Sequence, residues 1–204
     1  MSATALPELN EEEKKVLQLN WPEDFGSLYQ IGLQCFEKVF AKEPRIKEIL
    51  PYQLEGDDSK EWHQNERFRK QALAFVQLLA KAIYVFTLAN ESIHSETKKE
   101  LEEYIRKVGS FHKGLMPEMQ ADYFSLLLST LPDVLKSSHF GKELTDEQKE
   151  TAVQVWLKLN QYIEGLLENG FKDSIEVKRE MLKRTFSKHN MEGKSVLDLT
   201  RKTS

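Results

Sequence analysis

Residues 101–112 read LEEYIRKVGSFH. Leu101, Ile105 and Val108 recur at helical spacing, and His112 follows them by eleven, seven and four residues. Those intervals place all four on one helix face, because side chains three or four residues apart stack on the same side. An imidazole on an apolar face needs a partner for each ring nitrogen. A backbone carbonyl, a water or a metal would each serve. Spacing alone does not choose among them, and a hydrogen-bonded core histidine is the commoner outcome. The other four histidines, His63, His94, His139 and His189, stand in polar stretches.

The flanking segments carry the same period. A helix is predicted from about Glu66 to Leu88, with Phe68, Ala72, Phe75, Val76, Leu79 and Ile83 on its buried face. Residues 89–95 (ANESIHS) read as a turn into the helix of His112, predicted over 97–112. Further upstream, Leu28, Ile31, Cys35, Phe36, Val39 and Phe40 form a helical stripe that Pro44 ends. Asn10 with Glu13 fits a capping box for a first helix that breaks at Trp21-Pro22. The polar run 53–63 (QLEGDDSKEWH) reads as a loop. Downstream, Pro117 suits the first turn of a helix that carries Tyr123, Leu126, Leu127 and Leu131 and stops before Pro132. Thr145 and Gln148 form a second capping box ahead of Ala152, Val155, Trp156, Leu159, Ile163 and Leu166, and Asn169-Gly170 reads as the stop. No strand-period alternation, internal repeat or low-complexity tract occurs. The expected class is all-α.

Composition narrows the function. Of 204 residues, 40% are hydrophobic and 30% charged, which suits one globular domain with tails. A net charge of −4 gives no reason to expect a nucleic-acid partner. The single cysteine, Cys35, cannot close an internal disulfide, so a reducing, cytoplasmic setting is expected. The acidic opening MSATALPELNEEEKK lacks the apolar centre of a signal peptide, and no run of about 18 apolar residues predicts a transmembrane segment. No zinc-type Cys/His cluster, HExxH, phosphate-cradling glycine loop or G-x-S-x-G is found, so no enzyme class is indicated. Residues 172–204 differ from the body. They hold nine Lys/Arg against five Asp/Glu, so the tail is about +4 and the rest of the chain about −8. Ile175, Leu182 and Phe186 share a helical face there. The segment reads either as a solvated extension or as a basic amphipathic element that meets a partner or a membrane surface.

Four segments, in order, resemble one family. Trp21 matches a tryptophan of the first globin helix. Phe36-Glu37-Lys38-Val39-Phe40, then Pro44 and Leu50-Pro51, resembles the second globin helix and its following corner. Phe68-Arg69-Lys70-Gln71-Ala72 resembles the start of the distal helix, and Val108-Gly109-Ser110-Phe111-His112 the proximal segment. The chain is thus similar to globins, and in particular to invertebrate, nematode-like haem globins. The resemblance implies a globin fold of about eight helices over 10–171, between an extension at 1–9 and the basic tail at 172–204. It also implies that Gly32 and Ala72 meet where the second and distal helices cross, small residues letting the backbones approach.

The cofactor so implied is haem b, iron protoporphyrin IX, with His112 as proximal iron ligand. Gln71 takes the distal position, where it can donate a hydrogen bond but is a poor iron ligand. Phe36, Phe68, Phe75 and Leu79 would line the distal side, and Val108, Phe111 and Met116 the proximal side and haem edge. Two departures stand out. Leu50 occupies the corner position where globins carry phenylalanine, unless Tyr52 takes that role. The connection from Leu50 to Gln71 is also long, and contains His63 eight residues before Gln71. The implied function is reversible binding of dioxygen or another diatomic ligand, for storage, transport or sensing. The alternatives are a six-coordinate globin with His63 on the iron, serving electron transfer or redox sensing, and a haem-free signalling module. A homodimer is left open.

Overall fold

The computed structural model describes residues 7–51, 60–88, 91–137 and 144–200, and side chains as far as Ser174 apart from 60–61, 91–93 and 137. The chain order is α1 (Glu11–Asn20), α2 (Phe25–Lys42), α3 (Ile46–Ile49), a 3-10 turn (Lys60–Gln64), α4 (Glu66–Thr87), α5 (Glu91–Leu115), α6 (Asp122–Ser137) and α7 (Asp146–Thr200). No strand occurs among the described residues. The architecture is all-α, as the periodicity predicts.

Both capping boxes form. Asn10 accepts from the Glu13 amide while Glu13 accepts from Asn10, and Thr145 and Gln148 exchange the same pair of bonds. Asp24 and Asn65 cap α2 and α4, each side chain taking up backbone donors that the first turn leaves unpaired. The helical stripes are buried: Ile31, Cys35, Phe36, Val39 and Phe40 on α2, Phe68, Ala72, Val76, Leu79 and Ile83 on α4, and the full predicted set from Ala152 to Leu166 on α7. The Trp21 and Trp156 rings lie 5.4 Å apart, and the Trp156 indole N–H donates to Asn20 Oδ1 at 3.0 Å, joining α1 to α7.

Four boundaries differ from expectation. The turn assigned to 89–95 is shorter: α5 is already helical at Glu91. Pro117 does not open a helix; it lies in the turn before α6, which starts at Asp122. Pro132 does not end α6, which continues to Ser137. A proline there removes the N–H that would bond to the Leu128 carbonyl. The side chain of buried Asn160 on α7 supplies the missing donor, its Nδ2 giving a hydrogen bond to Leu128 O at 2.8 Å. Asn169-Gly170 is not a stop either, since α7 runs through it.

Gly170 is needed there for contact. A Cβ at Gly170 would overlap the Arg106 carbonyl of α5, and a Cβ at Gly109 would overlap the Leu167 carbonyl of α7. The two helices therefore touch backbone to backbone at reciprocal glycines. A milder version joins α2 to α4, where a Cβ on Gly32 would come 2.7 Å from the Ala72 carbonyl oxygen, at the crossing the resemblance implies. Tyr52 and most of the polar run 53–63 lie outside the described residues. Side chains of the basic tail beyond Ser174 do too, although its backbone continues α7 to Thr200.

Two stability experiments follow. Gly109→Ala and Gly170→Ala should each cost about 3 kcal/mol or more in urea unfolding, because neither backbone can yield to overpacking. Gly114→Ala, which meets nothing within 4 Å on the same helix as Gly109, should be neutral or stabilise by up to about 1 kcal/mol. Equal effects at Gly109 and Gly114 would refute the close contact. Separately, Asn160→Ala should destabilise by about 1–3 kcal/mol by orphaning a buried carbonyl. Pro132→Ala returns an N–H to that carbonyl, so a double-mutant cycle should show the Asn160→Ala cost reduced in the Pro132→Ala background.

Candidate functional site

A cavity of about 920 Å³, counting the part open to solvent, lies among α2, α3, α4, α5, α6 and α7. On α4 its wall is Gln71, Ala74, Phe75 and Leu78, a repeat of three, four and seven residues that selects one helix face. On α5 it is Tyr104, Val108 and His112, each four residues from the next. Phe36 faces it from α2, Leu50 from the end of α3, and Phe124 from α6. Among the described lining residues, only Gln71, Tyr104, His112 and Tyr123 carry a side-chain nitrogen or oxygen, and none carries a permanent charge. Such a site suits a large, mainly apolar ligand fixed by a few polar contacts.

His112 is held in one tautomer. Its Nδ1 lies 2.8 Å from the Val108 carbonyl oxygen one turn back. A carbonyl only accepts, so Nδ1 carries the proton and Nε2 of the neutral ring keeps its lone pair. Phe124 braces the imidazole edge-to-face, with ring centroids 5.4 Å apart at 81°. Burial lowers the His112 pKa below the ordinary histidine range, and the bond to Val108 only partly opposes that shift. The ring is therefore neutral at physiological pH, the form in which imidazole binds a metal.

Seven of the ten residues expected at the site line this cavity: Phe36, Leu50, Gln71, Phe75, Val108, His112 and Met116. Three do not. Phe111 is 64% exposed, on the outer side of α5. Leu79 is fully buried on the α4 face next to the cavity wall, one residue beyond Leu78. Phe68 lies one layer behind the wall. Its ring packs edge-on against Phe36 at 5.4 Å and Trp62 at 4.7 Å, so it supports Phe36. Tyr104, Met119, Tyr123, Phe124 and Leu128 line the cavity without having been singled out. Tyr104 was findable, since it continues the four-residue repeat of Val108 and His112.

His63 stands away from the cavity wall. Its Nε2 is 3.2 Å from a Glu37 carboxylate oxygen, its ring packs against Trp62, and its carbonyl accepts from the Tyr29 hydroxyl. Cys35 is buried in the core, where desolvation pushes its thiol up to about 12. It is packing, not a nucleophile. No group of three or more His, Cys, Asp or Glu that could hold a metal occurs among the described residues.

The globin family profile matches residues 33–163, more than half of the chain. The chain belongs to the globin family. Solved globin-like structures agree with that fold. The hexacoordinated heme protein of an anhydrobiotic tardigrade superposes with a TM-score of 0.63 at 21% identity, covering 80% of this chain and 96% of that one. A Drosophila melanogaster globin gives 0.61 at 19% identity, covering 79% and 98%. The Drosophila hexa-coordinate hemoglobin studied for cyanide binding gives 0.59 at 20%, with the same coverage. In this globin, the matched span contains every described residue that lines the cavity except Leu167.

The His112 shift has a measurable consequence. Its folded pKa lies below the ordinary value of 6.5, so between those two values the unfolded chain binds more protons than the folded one. The stability of the haem-free globin should fall as pH drops through about 6.5, and the loss should level off below the folded pKa. His112→Gln should flatten that part of a Tm-versus-pH curve. An unchanged slope would place the titration on another group.

Proposed function

We propose that this globin binds haem b through His112 Nε2 and reversibly holds dioxygen or another diatomic ligand beside Gln71. One observation carries the reading: the only imidazole among the described residues of the cavity wall has its Nδ1 proton committed to Val108, which leaves Nε2 as a ligating atom in a chamber whose described lining is uncharged and mainly apolar. The donor set fits this group. A single imidazole cannot hold a bare metal ion, which needs three or four protein ligands, but it does suit a metal that brings the rest of its coordination within an apolar macrocycle.

When bound, haem supplies a ferrous iron that takes a diatomic ligand reversibly. The chain does the rest. The Val108 carbonyl orients the imidazole and raises its basicity as a ligand. Phe124 restricts its rotation. The Gln71 amide offers N–H donors to a polar bound ligand, and Phe36 and Phe75 keep the neighbourhood apolar, which slows the access of water and protons. The tardigrade and Drosophila relatives are described as six-coordinate. An open sixth position is favoured in this chain because Gln71 is a poor iron ligand and His63, outside the cavity wall, packs its ring against Trp62.

Visible spectra of the haem-loaded protein test this. The dithionite-reduced form should show a broad five-coordinate band that shifts on adding CO, and His112→Ala should lose it. Gln71→Leu should speed dioxygen dissociation by about tenfold, the worth of one hydrogen bond, with little effect on CO. Sharp, split ferrous bands before any ligand is added would overturn the open site. If His63→Ala then removed them, the six-coordinate reading would replace it. Failure to take up haem would overturn both.

A further inference from the structure

Tyr104 borders two hollows. On α5 it lines the inner cavity in series with Val108 and His112. It also lines a surface pocket of about 400 Å³, counting open solvent, between α4 and α5. Lys81, Tyr84, Thr97 and Glu100 form the rim of that pocket, and Val85 and Leu101 lie within it. No other described residue borders both hollows. Tyr104 is thus the side chain that the chamber and the surface pocket share.

The Lys81 ammonium sits over the Tyr104 ring, 4.3 Å from its centroid. That cation–π contact spans the gap from α4 to α5 and holds the ring in its partition position. Two other described boundaries are less yielding. Between α5 and α7 the backbones touch at Gly109 and Gly170. Toward α2 the Phe36, Phe40, Trp62 and Phe68 rings interlock at centroid distances of 4.7–6.1 Å. At α4–α5 by the Tyr104 ring, a side chain rather than a backbone makes the closure, and side chains change rotamer far faster than helices move.

We propose that the α4–α5 pocket is the outer half of an access route for small uncharged molecules, and that Tyr104 is its door, latched by Lys81. The rim carries Lys81 and Glu100 but the inner wall is uncharged, so a dissolved diatomic gas passes while an ion meets a desolvation barrier. The ring swings out about its side-chain torsions toward the solvent-filled pocket, where neighbouring Tyr84 is itself 61% exposed. The inference rests on the haem reading only for its most convenient probe.

A door has a kinetic signature. It does not touch the bound ligand, so it changes association and dissociation by the same factor and leaves the equilibrium constant alone. The experiment is CO rebinding after flash photolysis of the haem-loaded protein, with CO dissociation measured by replacement. Tyr104→Trp should slow both rates by about tenfold, and Tyr104→Ala should accelerate both. Lys81→Met removes the latch and should speed both about threefold. Tyr104→Phe keeps the ring and should match the wild type, which guards against a folding artefact. In each case Kd should stay constant. Rates unchanged in Tyr104→Trp and Lys81→Met would overturn the proposal, and if Gln71→Ala accelerated them instead, passage runs past Gln71. A Kd that moves with Tyr104 would also overturn it, by showing that the ring supports the site. If no CO complex forms, the haem reading fails separately. Xenon exchange by NMR then reads the same variants without haem chemistry, with slower exchange expected for Tyr104→Trp and unchanged exchange refuting the door.

Discussion

The backbone contact between α5 and α7 fixes most of what matters in this globin. Reciprocal glycines, Gly109 and Gly170, let each helix rest on a carbonyl of the other. A contact of that kind sets depth and rotation together, because no flexible side chain intervenes to absorb an error. Gly109 lies one residue after Val108 and three before His112. With its face pressed on α7, the neighbouring stripe of Tyr104, Val108 and His112 is turned toward the cavity and Phe111 toward solvent. The aim of the imidazole is therefore a property of two missing side chains elsewhere on the helix pair.

Within the cavity, burial and hydrogen bonding act on the same ring for the same end. Desolvation disfavours the imidazolium, and the Val108 carbonyl takes the single N–H that the neutral ring retains. The outcome is a basic nitrogen in a wall without permanent charge. α6 contributes through a comparable substitution of one group for another: Pro132 deletes a backbone donor, and Asn160 from α7 replaces it. Thus α6 keeps its helical course past the proline and carries Phe124, Leu127 and Leu128 along the cavity.

The class, both capping boxes, the buried stripes and the spacing of His112 were legible in the sequence because each depends on residues within a few positions of one another. The misread boundaries depend on partners far along the chain. Gly170 looks like a helix stop until Arg106 is seen against it, and Pro132 looks terminal until Asn160, 28 residues later, supplies a donor. Three residues expected at the site lie off the cavity wall for a similar reason. Leu79 and Leu78 differ by one residue, about 100° of helix rotation, and only the packing of α4 on α2 decides which of them faces the cavity. Phe111 is adjacent to His112 in sequence and for that same reason points elsewhere. Phe124 and Tyr123 reach the site from α6, whose start the sequence reading placed too early, at Pro117.

The same geometry links occupancy to folding. The cavity wall draws on six of the seven described α-helices or their ends, so an occupant that touches it shields apolar side chains from every one of those elements at once. A ligand that binds only the assembled wall stabilises the fold by mass action. Its contribution is distributed over α2, α4, α5, α6 and α7 and does not fall on His112 alone. On the proposed reading the imidazole orients the metal-bearing group, while the apolar lining supplies most of the affinity. That division explains how Leu50 can stand at a corner where a larger ring is usual: one residue in a wall drawn from so many elements has a limited share of the total, whereas the nitrogen of His112 has no substitute among the described residues of the wall.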